Sequence, residues 1–353
     1  MPSTAKDSEP LLQEEEDRRS LFPLRDEKAF RFYQQLEGLR WPVRDIEAQL
    51  SDDRDHWRNR LTPADRAFYL PILAMLVAGD RVVNENLDTN FLSNIKSEEV
   101  CMAYGAQRAQ ESVHNETYSV IPRAILSDEE TAHMLSCLDA SKALGRLVAW
   151  AQKWTRSEAP LGQLILAFAF FEGVVFQAMF MSIQMLKERN LMPAFTTANE
   201  LIARDENVHC LLACYLLCER VRVKPSQSSA HAMLAEVVSI VGEFLQEACQ
   251  AARDAAGTPA AATCPVERIS YPELMQYLRF VGDTVLEHLQ YDKVYQAANP
   301  YPESHKLQLN NVLKSNFFEV NPTQYNHDFD LTFDFDDGAD PVKAEAEIDA
   351  LYA

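Results

Sequence analysis

Six side chains between residues 77 and 209 carry the chemistry legible in this sequence. They are Asp80 in VAGDRVVNENL, Glu111 and His114 in QRAQESVHNETY, Glu172 in FAFFEGVVF, and Glu206 and His209 in LIARDENVHC. Two of these segments hold a Glu-x-x-His pair, which on a helix puts a carboxylate and an imidazole on one face. The other two each offer a single acid in an apolar run. Four carboxylates and two imidazoles converging inside a helical bundle make a dinuclear metal site. The charge balances as well: two divalent cations against four ionised carboxylates leave no uncompensated buried charge. Carboxylate and imidazole donors together suit iron or manganese better than metals that select thiolates. One Glu-x-x-His pair would mean little, because helices produce it by chance. Two pairs, each preceded by its own acid-bearing segment, are not explained that way.

These ligands need at least four helices, and the sequence supplies them. A helix start at residues 61–65, with Thr62 as cap and Pro63 in the first turn, opens the helix that carries Asp80. Pro71 should bend it. A second long helix is expected over 97–126, with Glu111, His114 and Tyr118 at i, i+3 and i+7 on one face. After a polar connector and a helical segment near 140–156, Pro160 introduces a very apolar helix over 161–186. Glu172, Phe176 and Phe180 share a face of it. Residues 190–193 break the chain, and the next helix places Ile202, Glu206 and His209 on one face. Helical pattern returns over 229–253 and 271–290. Before the first metal-bearing helix, the Trp41-Pro42 step should interrupt a helical region over 25–60. The reading is an all-α bundle over 25–319, with a flexible N-terminal arm (1–24) and an acidic mobile tail (320–353).

Composition narrows the partners. The chain has 353 residues, only 10 of them glycine, and a formal net charge of -20. Such a charge repels phosphate backbones and anionic lipid surfaces, so neither nucleic acid nor membrane is an expected partner. Seven cysteines without CxxC or zinc spacing point to a reducing, cytoplasmic location. Cys210, Cys214 and Cys218 form an i, i+4, i+8 stripe that reads as buried small apolar groups. The run over 161–186 is long enough to span a bilayer, but Gln163, Glu172 and Gln177 interrupt it. A helix apolar all round is also the centre of a large soluble bundle, and that is the expectation here. Asn115-Glu-Thr117 fits a glycosylation acceptor but falls inside a ligand helix. No P-loop or glycine-rich nucleotide loop is visible.

The order Asp80, Glu111-x-x-His114, Glu172, Glu206-x-x-His209 resembles the small, radical-generating subunit of class I ribonucleotide reductase, most strongly the tyrosyl-radical form of eukaryotes and their viruses. DRVVNENL, YGAQRAQESVHNETYS, EGVVFQAMF, LMPAFTTANELIARDENVHC and KSNFFE resemble that family's segments too, from residue 9 to the tail. The resemblance implies a ferritin-like bundle, a homodimer, and a pair of iron ions that react with dioxygen, with manganese able to occupy the same ligands. Asp80, Glu111 and His114 would bind one ion and Glu172, Glu206 and His209 the other, with Glu111 and Glu206 bridging. It implies further that Tyr118 is the radical tyrosine and that Phe176, Phe180 and Ile202 line its pocket. His114, Asp205 and Trp41 would form a relay, and Tyr325, six residues past Glu319, would be the relay tyrosine of the tail. The radical would pass to a large subunit that reduces ribonucleoside diphosphates. The tail departs from the family pattern just before Tyr325 and continues to Ala353. Segments 329–337 and 344–353 could each dock in the large subunit, and the last ten residues are favoured, with Ile348, Leu351 and Tyr352 as anchors.

On spacing alone, Tyr118, Trp41 and the Phe176 stripe would be core packing and Asp205 a surface ion pair. Two other functions fit the ligand set: a stand-alone ferritin-like oxidase with its own substrate, and a non-enzymatic iron-storage or helical interaction protein.

Overall fold

The computed structural model describes residues 9–14, 18–155, 158–259, 263–303 and 309. Among them there are twelve α-helices and no strand: α1 (Glu27–Gly38), α2 (Arg44–Glu47), α3 (Leu50–Asp55), α4 (Pro63–Asn86), α5 (Glu98–Ile125), α6 (Asp128–Ala140), α7 (Lys142–Thr155), α8 (Leu161–Phe170), α9 (Gln177–Glu188), α10 (Pro193–Tyr215), α11 (Gln227–Ala256) and α12 (Tyr271–His288). Four π-helical turns join or extend them, at His56–Arg60, Leu87–Leu92, Phe171–Val175 and Leu216–Arg220.

Local chemistry sets the helix ends. Thr62 and Asp65 form a reciprocal capping box at the start of α4, and Arg189 at the end of α9 clamps the same Asp65 carboxylate at 2.8 Å. The helix then runs through Pro71 without a break. Ser127 and Glu130 make a second capping box and open α6, so the stretch read as a polar connector is helical. That correction has a sequence signal, since Ser-Asp-Glu-Glu is a helix N-terminus whose acids suit the positive end of the dipole. The break before α10 uses two left-handed residues, Asn190 and Met192. Asp53 at the end of α3 then accepts the backbone N–H groups of Ala194 and Phe195 at 2.9 and 2.8 Å, satisfying donors that the first turn of α10 leaves open.

The run from α8 through its π turn into α9 is the centre of the bundle. Among the described residues, two stretches are long and apolar enough to cross a membrane. The one over Leu161–Glu188 has its most apolar eighteen-residue window wholly buried inside the protein. Neighbouring helices therefore cover its apolar surface, as expected of a central helix.

The described part of the N-terminal arm lies against the helices. Leu11 is buried and its carbonyl accepts the Lys96 amide at 2.8 Å. Arg18 forms a two-pronged ion pair with the buried Glu99 at 2.8 and 2.9 Å. The segment 320–353 lies outside the described residues.

Candidate metal centre

α5 carries Glu111 and His114, α10 carries Glu206 and His209, and the π turn after α8 carries Glu172. All five are at most 1 % exposed. Asp80 lies on α4; its side chain is outside the described set. Donor atoms of Glu111, Glu172, Glu206 and His209 all lie within 4.8 Å of one another. His114 joins them: its Nδ1 is 3.0 Å from Glu206 and 3.5 Å from Glu111. His209 Nδ1 stands 2.9 Å from Glu111, 3.3 Å from Glu206 and 3.9 Å from Glu172.

Small residues let the helices approach this closely. A Cβ on Gly173, beside Glu172, would come within 2.4 Å of Cys210 Sγ, and one on Gly79, beside Asp80, within 2.7 Å of Phe176. The first gap seats the π turn against α10; the second seats α4 against Phe176. The π turn also widens the helix locally, a device often found at functional sites.

Each imidazole is oriented from behind. His114 Nε2 faces Asp205 Oδ2 at 3.2 Å, and His209 Nε2 faces Gln110 Oε1 at 2.8 Å. Both outer partners accept, so each Nε2 carries hydrogen and each Nδ1 can turn a lone pair inward. Gln107 does a similar job for Glu172, donating to Oε1 at 3.2 Å. That leaves Glu172 Oε2, both oxygens of Glu111 and Nδ1 of His114 buried without a hydrogen bond among the described residues. Buried acceptors that converge unpartnered are costly unless a cation satisfies them. The donor set therefore fits a metal site on this structure's own geometry.

The electrostatics agree. Burial opposes the charged imidazolium of His209, but Glu111 and Glu206 outweigh it and raise the group to about 9. His114 is driven up in the same way by Asp205, Glu111 and Glu206 against burial. Burial and the neighbouring Glu206 push Glu172 well above the carboxylate range; burial acts on Glu206 too, but Glu172 and both imidazoles bring it below that range. A cluster that holds extra protons in this way is one in which cations can replace them.

Asp205 is not at the surface. It is fully buried, and its Oδ2 accepts the indole Nε1–H of Trp41 at 2.8 Å as well as facing His114. The Trp41 and His114 rings lie nearly parallel, with centroids 6.3 Å apart. Arg204 holds the other oxygen of Asp205 at 2.9 Å and donates to the Leu39 carbonyl at 2.7 Å, tying α10 to the turn that presents Trp41. Burial acts upward on Asp205, yet Arg204, His114 and Trp41 bring it below its ordinary value. Trp41 keeps 9 % of its surface exposed and lines an open cleft of about 400 Å³ with Arg40, Pro42, Ala109, Gln110 and Val113. Tyr118, Phe176, Phe180 and Ile202 are all at most 1 % exposed, and the rings of Phe176 and Phe180 stack at 5.8 Å.

Three functional neighbours, Gln107, Gln110 and Arg204, escaped the sequence reading. Gln107 had a usable signal, standing one helical turn before Glu111. Gln110 and Arg204 had none. Tyr325, Ile348, Leu351 and Tyr352 lie outside the described residues. All seven cysteines are free; of the 210/214/218 stripe, Cys210 and Cys214 are buried as expected, and Cys218 is only half-buried.

A family profile described as "Ribonucleotide reductase, small chain" matches residues 18–300. The chain belongs to the ribonucleotide reductase small-chain family. It is 37 % identical over 319 residues to the ribonucleoside-diphosphate reductase small chain of African swine fever virus (isolate Pig/Kenya/KEN-50/1950), covering 90 % of this chain and 94 % of the viral one. Its fold matches the Rnr4 homodimer structure from Saccharomyces cerevisiae with a TM-score of 0.71 at 24 % identity, over 84 % of this chain and 90 % of that one. It also matches the dimanganese(II)-NrdF structure from Streptococcus sanguinis with a TM-score of 0.58 at 15 % identity, over 82 % and 96 % of the two chains. As a ribonucleotide reductase small chain, this protein implies a large-chain partner, and its buried carboxylate–imidazole cluster fits a dinuclear metal site of iron or manganese.

Proposed function

We propose that this small chain stores an oxidising equivalent on Tyr118 and lends it to a large chain through Asp205 and Trp41. The observation that carries this reading is the continuous chain of contacts from the cluster to an open cleft: His114 to Asp205 at 3.2 Å, then Asp205 to Trp41 at 2.8 Å. A purely structural tryptophan would need no link to a ligand imidazole.

Asp80, Glu111, His114, Glu172, Glu206 and His209 are the residues that would hold the two ions. A bound pair of iron ions, or of manganese, supplies the redox chemistry that activates dioxygen. The protein's own groups do the rest. Gln107, Gln110 and Asp205 fix the orientation of Glu172, His209 and His114. Tyr118, one turn beyond His114 on α5 and 1 % exposed, yields an electron and a proton where water cannot reach the resulting ring. Phe176, Phe180 and Ile202 are the apolar groups that keep the pocket dry. Trp41 passes the equivalent outward, and Tyr325 of the tail receives it beside the large chain. The working unit is a homodimer in the cytoplasm with residues 344–353 as its docking segment.

The test is anaerobic loading with Fe(II), exposure to oxygen, and EPR spectroscopy. A tyrosyl signal is expected in the native sequence and is lost in Tyr118→Phe, with metal content unchanged. Iron binding with no tyrosyl signal in the native sequence would sink this reading and favour an oxidase with its own substrate.

A further inference from the structure

Glu111 has a phenol on each side of it along α5. Tyr118 stands seven residues after it and Tyr104 seven before, and seven residues are close to two full turns, so all three share one side of the helix. Tyr104 is fully buried. Its ring lies flat on Phe91, with centroids 5.0 Å apart and 9° between planes, and edge-on to Phe168 at 6.4 Å. Its hydroxyl makes no hydrogen bond among the described residues. Burying a hydroxyl unpartnered carries a desolvation cost that phenylalanine in the same place would avoid. Packing therefore accounts for the ring and leaves the oxygen unexplained.

The polar groups nearest in the helix lead to the metal cluster. Gln107, one turn on from Tyr104, donates Nε2 to Glu172 Oε1, while its own Oε1 is buried and accepts nothing. Burial, and then the Glu172 carboxylate, hold the Tyr104 proton on, so the group is a neutral phenol and its electron must leave together with its proton.

We propose that Tyr104 is a second redox-active phenol of this centre, which gives up one electron and one proton when Tyr118 is already oxidised or is missing. The inference rests on the reading of the cluster as a dioxygen-reducing centre. Reduction of dioxygen to two water molecules takes up four electrons and four protons. Two ferrous ions give two electrons, Tyr118 (or, where it is missing, a further Fe(II) ion from solution) gives the third, and Tyr104 gives the fourth. Solvent supplies the protons that the phenols do not. The Tyr104 O–H bond breaks, the electron goes to the dioxygen being reduced, and the proton leaves with it to join those taken up. The side chain is left as a neutral tyrosyl radical stacked on Phe91 and shielded from water.

The experiment compares Tyr118→Phe with Tyr118→Phe/Tyr104→Phe, each loaded with Fe(II), mixed with oxygen and frozen at intervals for EPR. Tyr118→Phe should give a transient tyrosyl doublet that narrows when the protein is grown on ring-deuterated tyrosine. The double variant should lose it at equal iron content. Persistence in the double variant, or no tyrosyl signal in an iron-loaded and oxidised Tyr118→Phe, overturns the proposal. Should the double variant lose metal, 3-fluorotyrosine placed at position 104 of Tyr118→Phe leaves the ring in its slot. A fluorine splitting in the transient then identifies Tyr104, and an unsplit signal overturns the assignment. A native sequence that forms no Tyr118 radical is the separate failure of the functional reading itself.

Discussion

His114 presents its two nitrogens to different groups, and that one residue divides the site into an inner and an outer half. Nδ1 meets Glu111 and Glu206, while Nε2 meets an aspartate whose other contacts are Trp41 and Arg204. Replacing Asp205 by Asn keeps the shape and removes the charge that orients the imidazole. With the large chain, turnover should then fall by ~10–100-fold, the usual effect of losing a ligand's outer partner. The Tyr118 EPR signal should be retained if Asp205 serves transfer rather than metal binding. The same cluster sets a pH dependence. His209 is raised to about 9 from 6.5, so the metal-free protein holds a proton there at neutral pH that a metal ion must displace. Apparent metal affinity should therefore rise with pH up to about 9, with proton release detectable by calorimetry in buffers of different ionisation enthalpy. The sign reverses for stability without metal. A raised imidazole favours folding below its unfolded value of 6.5, and the benefit fades as pH climbs through 9.

Helices bring these residues together only where their backbones can close up. Gly173 is such a point, since its missing side chain is the space that Cys210 Sγ and Val285 occupy. Gly173→Ala should cost ~1–3 kcal/mol by overpacking and should weaken metal binding by moving Glu172. Denaturant unfolding and metal titration of the same preparation would separate the two effects; a variant unchanged in both would refute the account. The elements themselves were largely legible. Thr62, Pro63 and Asp65 announced α4, and the Trp41-Pro42 step fell in the gap between α1 and α2. α6 was missed because its opening acids look like loop composition, although Ser127 and Glu130 form the box that starts it. The π turn at Glu172 was invisible for a different reason. A one-residue widening leaves no mark on an apolar run, and packing against α10 and α12 decides it.

Across the molecule, each end of the chain can be tested for a part in what the bundle does. At the N-terminal side, Arg18 and the Arg25 amide hold Glu99 at the start of α5. Burial pushes that carboxyl up, but these partners outweigh it and bring it to about 2 from 4.5. Its stabilising contribution is complete above pH 4.5 and is lost as pH falls toward 2, so acid unfolding should begin at higher pH in Arg18→Ala. Circular dichroism followed through an acid titration would show it. At the other end, deleting residues 344–353 should weaken large-chain binding while leaving metal content and the Tyr118 signal intact. Unchanged affinity would move the docking role to 329–337.

The sequence by itself determined the candidate ligand types, their helices and the faces they share. Helical periodicity is a local property, and two Glu-x-x-His pairs with two acid-bearing helices have few other uses. It also carried the charge balance that a dinuclear site requires, and the resemblance that the family match bears out. What spacing could not decide is which groups stand behind the ligands: Asp205 and Trp41 came from the resemblance, and Gln107, Gln110 and Arg204 were missed. Trp41 and Asp205 are 164 residues apart, and His209 and Gln110 are 99 apart. Those contacts exist because α1, α5 and α10 pack at particular depths and rotations. Spacing alone would leave Asp205 a surface ion pair and the resemblance puts it in the relay, but only the folded chain shows it buried between the His114 imidazole and the Trp41 indole. That depends on distances between helices, and no spacing along the chain encodes them.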